Sequence, residues 1–255
     1  MCTLALYFRV FDDYPLVVAA NRDEHYDRPS APPILTESTP KILAGRDLRA
    51  GGTWLGVNEH GLLAGILNRR SNGDQSLPSK TRSRGLLCLD LLGLKSAAEA
   101  CAFLQRPEQD FYQPFSLVFA DEREAWAAFN AQERIEAVRL CEGLHVFSSS
   151  TATHDERSEK KERAYALFSS LVPDLNSKLD EVVSWTSTLS RVLSDHTAGN
   201  NVDDKETICV HRDISGTVSS TVIIYARSER RFRTFFCTGA PCQNSFSESL
   251  PLKLQ

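Results

Sequence analysis

No stretch of the chain reaches the roughly 20 consecutive apolar residues that a helix needs to cross a bilayer, so no transmembrane segment is expected. No Lys/Arg-rich run occurs, and a formal net charge of -4 removes any general electrostatic reason to bind nucleic acid or anionic lipid. GxxxxGK[ST] and GxGxxG are both missing, which leaves no phosphate loop, no dinucleotide fingerprint and no expected cofactor. The seven cysteines include no CxxC, and Cys237 and Cys242 lack a second ligand pair at zinc-site spacing, so no metal site is expected. Scattered and odd in number, they read as reduced thiols of a cytoplasmic protein. Arg9, Asp12 and Asp13 interrupt the opening residues before an apolar core can form, so no secretory signal is read there. His211-Arg212-Asp213 imitates a kinase catalytic loop without its supporting motifs. There is no internal repeat or low-complexity tract. With 255 residues, 42% hydrophobic and 24% charged, the expectation is one domain over 1–255.

What is present begins at the first residues. Leu4, Leu6, Phe8 and Val10 alternate with Thr3, Ala5, Tyr7 and Arg9, the period of a half-buried strand, and Leu16 to Ala20 forms a second apolar run. Asp12-Asp13-Tyr14-Pro15 supplies the turn between them. A turn centred on Asp12-Asp13 pairs Phe8 with Val17, Leu6 with Ala19, Leu4 with Asn21 and Cys2 with Asp23; a slip of one residue sets Arg22 opposite Cys2 instead.

The open end of this hairpin carries the candidate chemistry. Trimming of an initiator methionine before a small residue leaves Cys2 with both a thiol and a free α-amine. The thiolate is the nucleophile, and an α-amine with a pKa of about 7.7–8.0 can take the thiol proton and return it to a leaving group. Asp23 can orient the ammonium form without being needed for the core, and Arg22 can favour the thiolate or hold an anionic substrate. The plain reading of Asn21-Arg22-Asp23-Glu24 is a solvated strand end.

The opening Met1-Cys2, the tetrapeptide Asn21-Arg22-Asp23-Glu24, Arg28-Pro29, Gly45-Arg46-Asp47-Leu48 and Gly51-Gly52-Thr53-Trp54-Leu55-Gly56 together resemble the NRDE family, which includes the transport and Golgi organisation protein 2 group. The resemblance continues through Gly61, Ala64, Asn68 and Arg69 and returns at Gly216 and Ser219-Ser220-Thr221, so it spans most of the chain. It implies an α+β fold of the N-terminal nucleophile (Ntn) hydrolase kind, a four-layer αββα sandwich of two mainly antiparallel sheets. It implies Cys2 as the nucleophile; with it the catalytic candidates are Asp23, from the hairpin, and Asn68, an oxyanion donor whose plain reading is a strand-end or turn residue, and the candidate substrate contacts are Asn21, Arg22 and Ser149. Ser148-Ser149-Ser150-Thr151 stands where the family is expected to carry a Ser-Asn pair, so a hydroxyl replaces an amide; its plain reading is a helix entry.

The remaining chain reads in order as follows. Arg28 to Pro33 is a proline-restricted loop leading into a Gly-rich passage, and Thr53–Asn58 with Leu62–Asn68 forms a second hairpin around Glu59-His60-Gly61. A polar loop spans 72–83. Helices follow over 84–94 and 97–105, then short strands over 117–120, 125–129, 134–138 and 144–147. Two amphipathic helices carry the stripes Ala164, Leu167, Phe168, Leu171 and Leu179, Val182, Val183, Leu189, Val192. A polar loop over 197–205 with a turn at Gly199-Asn200-Asn201 leads to closing strands at 208–210, 217–225 and 232–236, and the Ser-rich tail after Pro241 reads as loosely ordered. Two functions stand open: an N-terminal-cysteine amidohydrolase or acyltransferase acting on a small amide or acyl substrate, and a non-catalytic protein that keeps the fold as a carrier of a haem-like or acyl-lipid ligand or as a factor in secretory-pathway or Golgi organisation. The sequence does not specify an oligomeric state.

Overall fold

The first hairpin turns where its residues require and then changes register. β1 (Thr3–Phe11) and β2 (Tyr14–His25) close with Phe11 opposite Tyr14, which centres the turn on Asp12-Asp13. A bulge follows between Phe8 and Phe11, where Arg9 takes a positive φ of 53°. Beyond it Phe8 faces Leu16, Leu6 faces Val18, Leu4 faces Ala20 and Thr3 faces Asn21. The expected pairing is therefore corrected by one residue. Extending this register past Thr3 sets Cys2 opposite Arg22. The extra residue in the bulge is the cause, and a turn position alone does not reveal it.

The structure is a computed structural model that describes residues 2–69, 81–106, 111–131, 134–149, 157–177, 182–197 and 207–255. Most of the polar loop expected over 72–83, Ser150-Thr151, Leu179 and most of the 197–205 loop lie outside the described residues. After the hairpin come β3 (Ser30–Leu35), β4 (Ile42–Asp47), β5 (Leu55–Asn58), β6 (Leu63–Asn68), β7 (Thr81–Arg82), α1 (Arg84–Leu92) and α2 (Ala97–Leu104). Next are β8 (Phe111–Tyr112), β9 (Phe115–Ala120), β10 (Ala125–Ala131), β11 (Arg134–Leu140) and β12 (Gly143–Ser148). The chain finishes with α3 (Glu159–Ser170), α4 (Val172–Asn176), α5 (Val182–Leu193), β13 (Ser215–Ala226), β14 (Arg231–Thr238), β15 (Ser247–Glu248) and β16 (Leu252–Lys253).

One sheet runs β12-β1-β2-β13-β14-β15 with β16 also on β14, and the other runs β11-β10-β9-β6-β5-β4-β3; both are antiparallel throughout. Alternation along β1 divides its side chains between two cores. Leu4, Leu6 and Phe8 meet Leu43, Leu55, Val57, Leu63 and Val118 between the sheets. Ala5, Tyr7 and Phe11 face α3–α5, where Trp185 is fully buried 4.9 Å from the Phe11 ring and the Tyr7 hydroxyl donates to the Phe168 carbonyl at 2.7 Å. A third core joins α1 and α2 to the outer face of the other sheet through Leu87, Leu91, Ala100 and Phe119. The layers are thus helix, sheet, sheet, helix, as expected from the resemblance.

Several stretches differ from the sequence reading, among them Thr81–Arg82 at the end of the expected polar loop, which is a short strand paired with β8. The proline-restricted loop and Gly-rich passage contain β3 and β4. Pro32 and Pro33 fall in a bulge of an edge strand, where a missing N–H breaks no inner ladder. Ile208-Cys209-Val210 is apolar and buried but is not a strand. Its Cys209 and Val210 amides donate instead to the Asp195 carbonyl and the Thr217 hydroxyl. The tail after Pro241 is held by β15 and β16, with Leu252 buried between the sheets. Among the described residues no helix is long and apolar enough to cross a membrane.

Candidate functional site

Cys2 opens β1 between β2 on one side and β12 on the other. The ladder to β12 runs from Thr3–Ser148 into a bond from the Ser149 amide to the Cys2 carbonyl, 3.1 Å. The Cys2 backbone nitrogen in turn donates to Ser149 Oγ at 2.9 Å. On the β2 side the thiol sits against the Asp23 backbone, accepting from its N–H at 3.4 Å and lying 3.6 Å from its carbonyl. Ser149 is therefore a partner of the Cys2 nitrogen, the atom that becomes the α-amine once Met1 is removed. It does not line the cavity described below.

The Asp23 side chain turns into the protein. Its Oδ1 accepts the Thr217 hydroxyl at 2.7 Å, and Thr217 Oγ1 accepts the Val210 amide at 2.9 Å. Oδ2 lies 3.8 Å from Nζ of Lys160, a lysine with no exposed surface on the first turn of α3. The sequence reading missed Lys160. The signal was available, because Lys160 precedes Ala164 and Phe168 by four and eight residues and so shares the buried face of that helix. Desolvated charge on such a face needs partners, and Asp23 is one of them.

A cavity of about 350 Å³ opens above the thiol, walled by Cys2, Arg22, Asp23, Asn68, Trp54 and the Arg82–Gly85 segment. Arg22 is buried with its guanidinium 4.4 Å from the Trp54 ring centroid, 3.2 Å from Ser30 Oγ, and 3.9 and 3.8 Å from Glu24 and Asp47 oxygens. Burial pulls its pKa down, opposed by Glu24 and Asp47. Arg28 bonds Asp47 Oδ2 from Nε at 2.8 Å and from Nη2 at 2.7 Å, and lies 3.5 Å from Glu24. Burial pushes the Asp47 carboxyl up, but the Ala50 and Arg49 amides and the Arg28 guanidinium outweigh it and hold the group below its ordinary value. The separate motifs of the sequence thus meet in one ionic network along the cavity wall.

Two further arginines, Arg82 and Arg84, complete that wall. Arg82 is paired with Asp90 and bonds the Tyr112 hydroxyl at 3.0 Å, which raises its pKa. Arg84 donates to the Pro114 carbonyl at 2.9 Å, and burial, then Arg28, pull its pKa down. α1 reaches the cavity because Gly52 and Gly85 pack backbone on backbone. A Cβ on Gly52 would lie 2.3 Å from the Gly85 carbonyl carbon.

The geometry gathers Cys2, Arg22, Asp23 and Asn68 around one cavity and leaves two expected residues elsewhere. Asn68 is exposed at its rim, at the end of β6, paired with Phe115. Asn21, expected as a substrate contact, faces the α3–α5 layer. Its amide donates to the Leu193 and Ile208 carbonyls at 2.8 and 3.0 Å and accepts the Ser220 hydroxyl at 2.6 Å, so its hydrogen-bonding capacity is used inside the fold. The register shift explains this, since it sets Asn21, Ala19 and Val17 beside Thr3, Ala5 and Tyr7, on the face toward α3–α5, and not beside Leu4, Leu6 and Phe8 between the sheets. Burial, then the Asp23 carboxylate, push the Cys2 thiol above its ordinary pKa, and Arg22 only partly offsets them. A larger cavity of about 750 Å³ lies at the turn end of the hairpin, lined by Arg9, Arg227 and Arg230, and contains no cysteine.

Similarities to known proteins bear on this arrangement. The family model described as "Transport and Golgi organisation 2" matches residues 1–236. Transport and Golgi organization protein 2 homologs of Bos taurus and Homo sapiens are each 34% identical over 113 residues, 42% of this chain. The chain spans 39% of the length of those relatives. Among solved structures it is similar to penicillin V acylase from Agrobacterium tumefaciens, with a TM-score of 0.61 at 14% identity over 100% of this chain and 99% of that one. It is also similar to the C2A mutant of conjugated bile acid hydrolase from Clostridium perfringens, with a TM-score of 0.56 at 11% identity over 100% and 98%. At those identities the similarity speaks for the fold, which is that of the N-terminal nucleophile hydrolases. The match over 1–236 makes this chain a member of the transport and Golgi organisation 2 family.

Proposed function

We propose that the chain is an N-terminal-cysteine hydrolase that cleaves a small amide or acyl substrate bearing an anionic group. The observation that carries this reading is the pairing of the Cys2 nitrogen with Ser149 Oγ at 2.9 Å beside a thiol that opens into a cavity with four arginines in its wall, Arg22, Arg28, Arg82 and Arg84. Removal of Met1 turns that nitrogen into an amine on the nucleophile's own residue. The amine takes the thiol proton as sulfur attacks the carbonyl carbon, and Asn68 at the rim donates to the developing oxyanion. The C–N or C–O bond then breaks, the leaving group takes the proton from the ammonium, and a thioester remains on Cys2. Water, deprotonated by the same amine, hydrolyses the thioester to an acid and the free thiol. Arg22 and its neighbours bind the anionic part of the substrate, since guanidinium groups recognise carboxylates in planar pairs. Glu24 and Asp47 keep those guanidiniums in place.

The alternative of a carrier for an apolar acyl chain or haem-like ligand is less well supported, because most of the residues that wall this cavity are charged or polar and few are apolar. The test compares hydrolysis of an N-acyl amino acid with that of the matching N-acyl amine, which lacks the carboxylate, by chain shown by intact mass to have lost Met1. The proposal expects turnover of the first, little of the second, and none by Cys2→Ala. Equal rates for the Cys2→Ala variant and the parent chain would remove the thiol from the reaction.

A further inference from the structure

His196, Cys209, His211 and Cys242 come from three separate places in the chain: the segment that leaves α5, the irregular segment before β13, and the turn after β14. One ring nitrogen or sulfur from each lies within 4.8 Å of all the others. The two sulfurs are 3.7 Å apart, and His211 Nε2 lies 3.2 Å from Cys242 Sγ and 3.7 Å from Cys209 Sγ. The imidazole centroids are 5.0 Å apart. A tetrahedral ion with metal–sulfur bonds of about 2.3 Å and metal–nitrogen bonds of about 2.0–2.1 Å separates its sulfurs by about 3.8 Å and a sulfur from a nitrogen by about 3.6 Å. The spacings among Cys209, His211 and Cys242 fall around those values, and the His196 ring nitrogen lies within 4.8 Å of all three.

We propose that these four side chains form a structural zinc site that pins the end of α5 and residues 207–214 against the turn after β14. Two thiolates and two imidazoles suit zinc in preference to calcium or magnesium, which take oxygen ligands. Four protein ligands leave no open position, so the ion's role is structural. His196 Nδ1 is 3.2 Å from the Cys209 carbonyl, and donation there leaves the lone pair of that ring on Nε2, the second-shell arrangement common to ligating histidines. The clamp lies close to the catalytic groups. Residues 208–210 form no strand, yet the Ile208 carbonyl accepts from Asn21 and the Val210 amide donates to Thr217 Oγ1, whose hydroxyl holds Asp23. The sequence expectation of no metal site rested on Cys237 and Cys242 lacking a second pair. In the structure Cys237 is buried in β14, and Cys242 instead joins Cys209 and two histidines at a spacing that no zinc motif describes.

The test is metal analysis of the full chain purified under reducing conditions, then stripped with a chelator and reloaded with zinc or cobalt(II). The site predicts about one zinc per chain, its loss in Cys242→Ser and in His211→Ala, and its retention in Cys2→Ala and Cys141→Ser. Cobalt should give the intense visible bands of tetrahedral thiolate coordination, and stripping should lower the Tm reversibly, readouts that stand even where a ligand variant fails to fold. Folded, reduced protein that takes up neither ion would overturn the proposal. So would zinc retained by both ligand variants, or a Cys209–Cys242 disulfide in protein prepared without reductant from zinc-supplied cells.

Discussion

Replacing Asp23 by Asn tests the link between the open end of the hairpin and α3. Sequence alone places Asp23 at a site mouth, where Asn would be tolerated by the fold. Its side chain is instead 2% exposed, and Lys160, 3.8 Å away, has no exposure at all. At that separation and an effective dielectric of about 20, the pair is worth about 4 kcal/mol of Coulomb energy. Removing one partner of a buried pair costs about 3–5 kcal/mol. Asn can still accept the Thr217 hydroxyl, so the loss is assigned to charge. Guanidinium unfolding at neutral pH should therefore show Asp23→Asn destabilised by about 3–5 kcal/mol and Asp23→Asn/Lys160→Met by clearly less than the sum of its two singles. An Asp23→Asn variant within about 0.5 kcal/mol of the parent, or strictly additive singles, would refute the assignment of Lys160 as its partner.

Other expectations follow from the same geometry. Burial and Asp23 raise the Cys2 thiol pKa, so limiting iodoacetamide at neutral pH should label exposed Cys141 before Cys2 in chain that retains Met1. The new α-amine should reverse that order in trimmed chain, and peptide mapping that finds Cys2 slow in both forms would remove the amine's assigned role. Ser149→Ala deletes the acceptor of the Cys2 nitrogen and should lower kcat about tenfold with little change in KM, as steady-state kinetics can show. Gly52→Ala drives a Cβ into the Gly85 backbone and should cost about 1–3 kcal/mol in urea unfolding, with activity falling as α1 moves from the cavity. The Asp47 carboxyl is held low in the folded state, so its stabilising contribution is complete above the ordinary carboxylate pKa of about 3.9 and disappears as pH falls through the lower folded value. A stability gap between the parent chain and Asp47→Asn at pH 6 should accordingly close in acid; a constant gap would contradict that.

The architecture was readable where one periodicity dominated. Leu4, Leu6 and Phe8 announce β1, and the stripe Ala164, Phe168, Leu171 announces α3, because burial on one face imposes those spacings. Register was not readable, since it depended on the unusual backbone of Arg9 and not on any apolar pattern. That one-residue shift carries Asn21 out of the site. β3 was hidden by Pro32 and Pro33, which an edge position accommodates. Lys160, Arg82 and Arg84 reach the site from distant segments, so only the fold reveals that they meet Asp23 and the cavity. The same holds for His196, Cys209, His211 and Cys242, whose proximity rests on the packing of a segment without regular structure.

The central claim is that Cys2 is a nucleophile acting with its own amine, and intercepting the acyl-enzyme tests it most directly. Chain lacking Met1 is mixed with an N-acyl amino acid, quenched in acid within the first turnover, and its peptides are weighed. The account predicts an acyl group on the Cys2 peptide that appears before product and decays as product forms, and its absence from chain in which Met1 is retained. Hydrolysis without any adduct on Cys2, or an equal adduct on chain that keeps Met1, would contradict it.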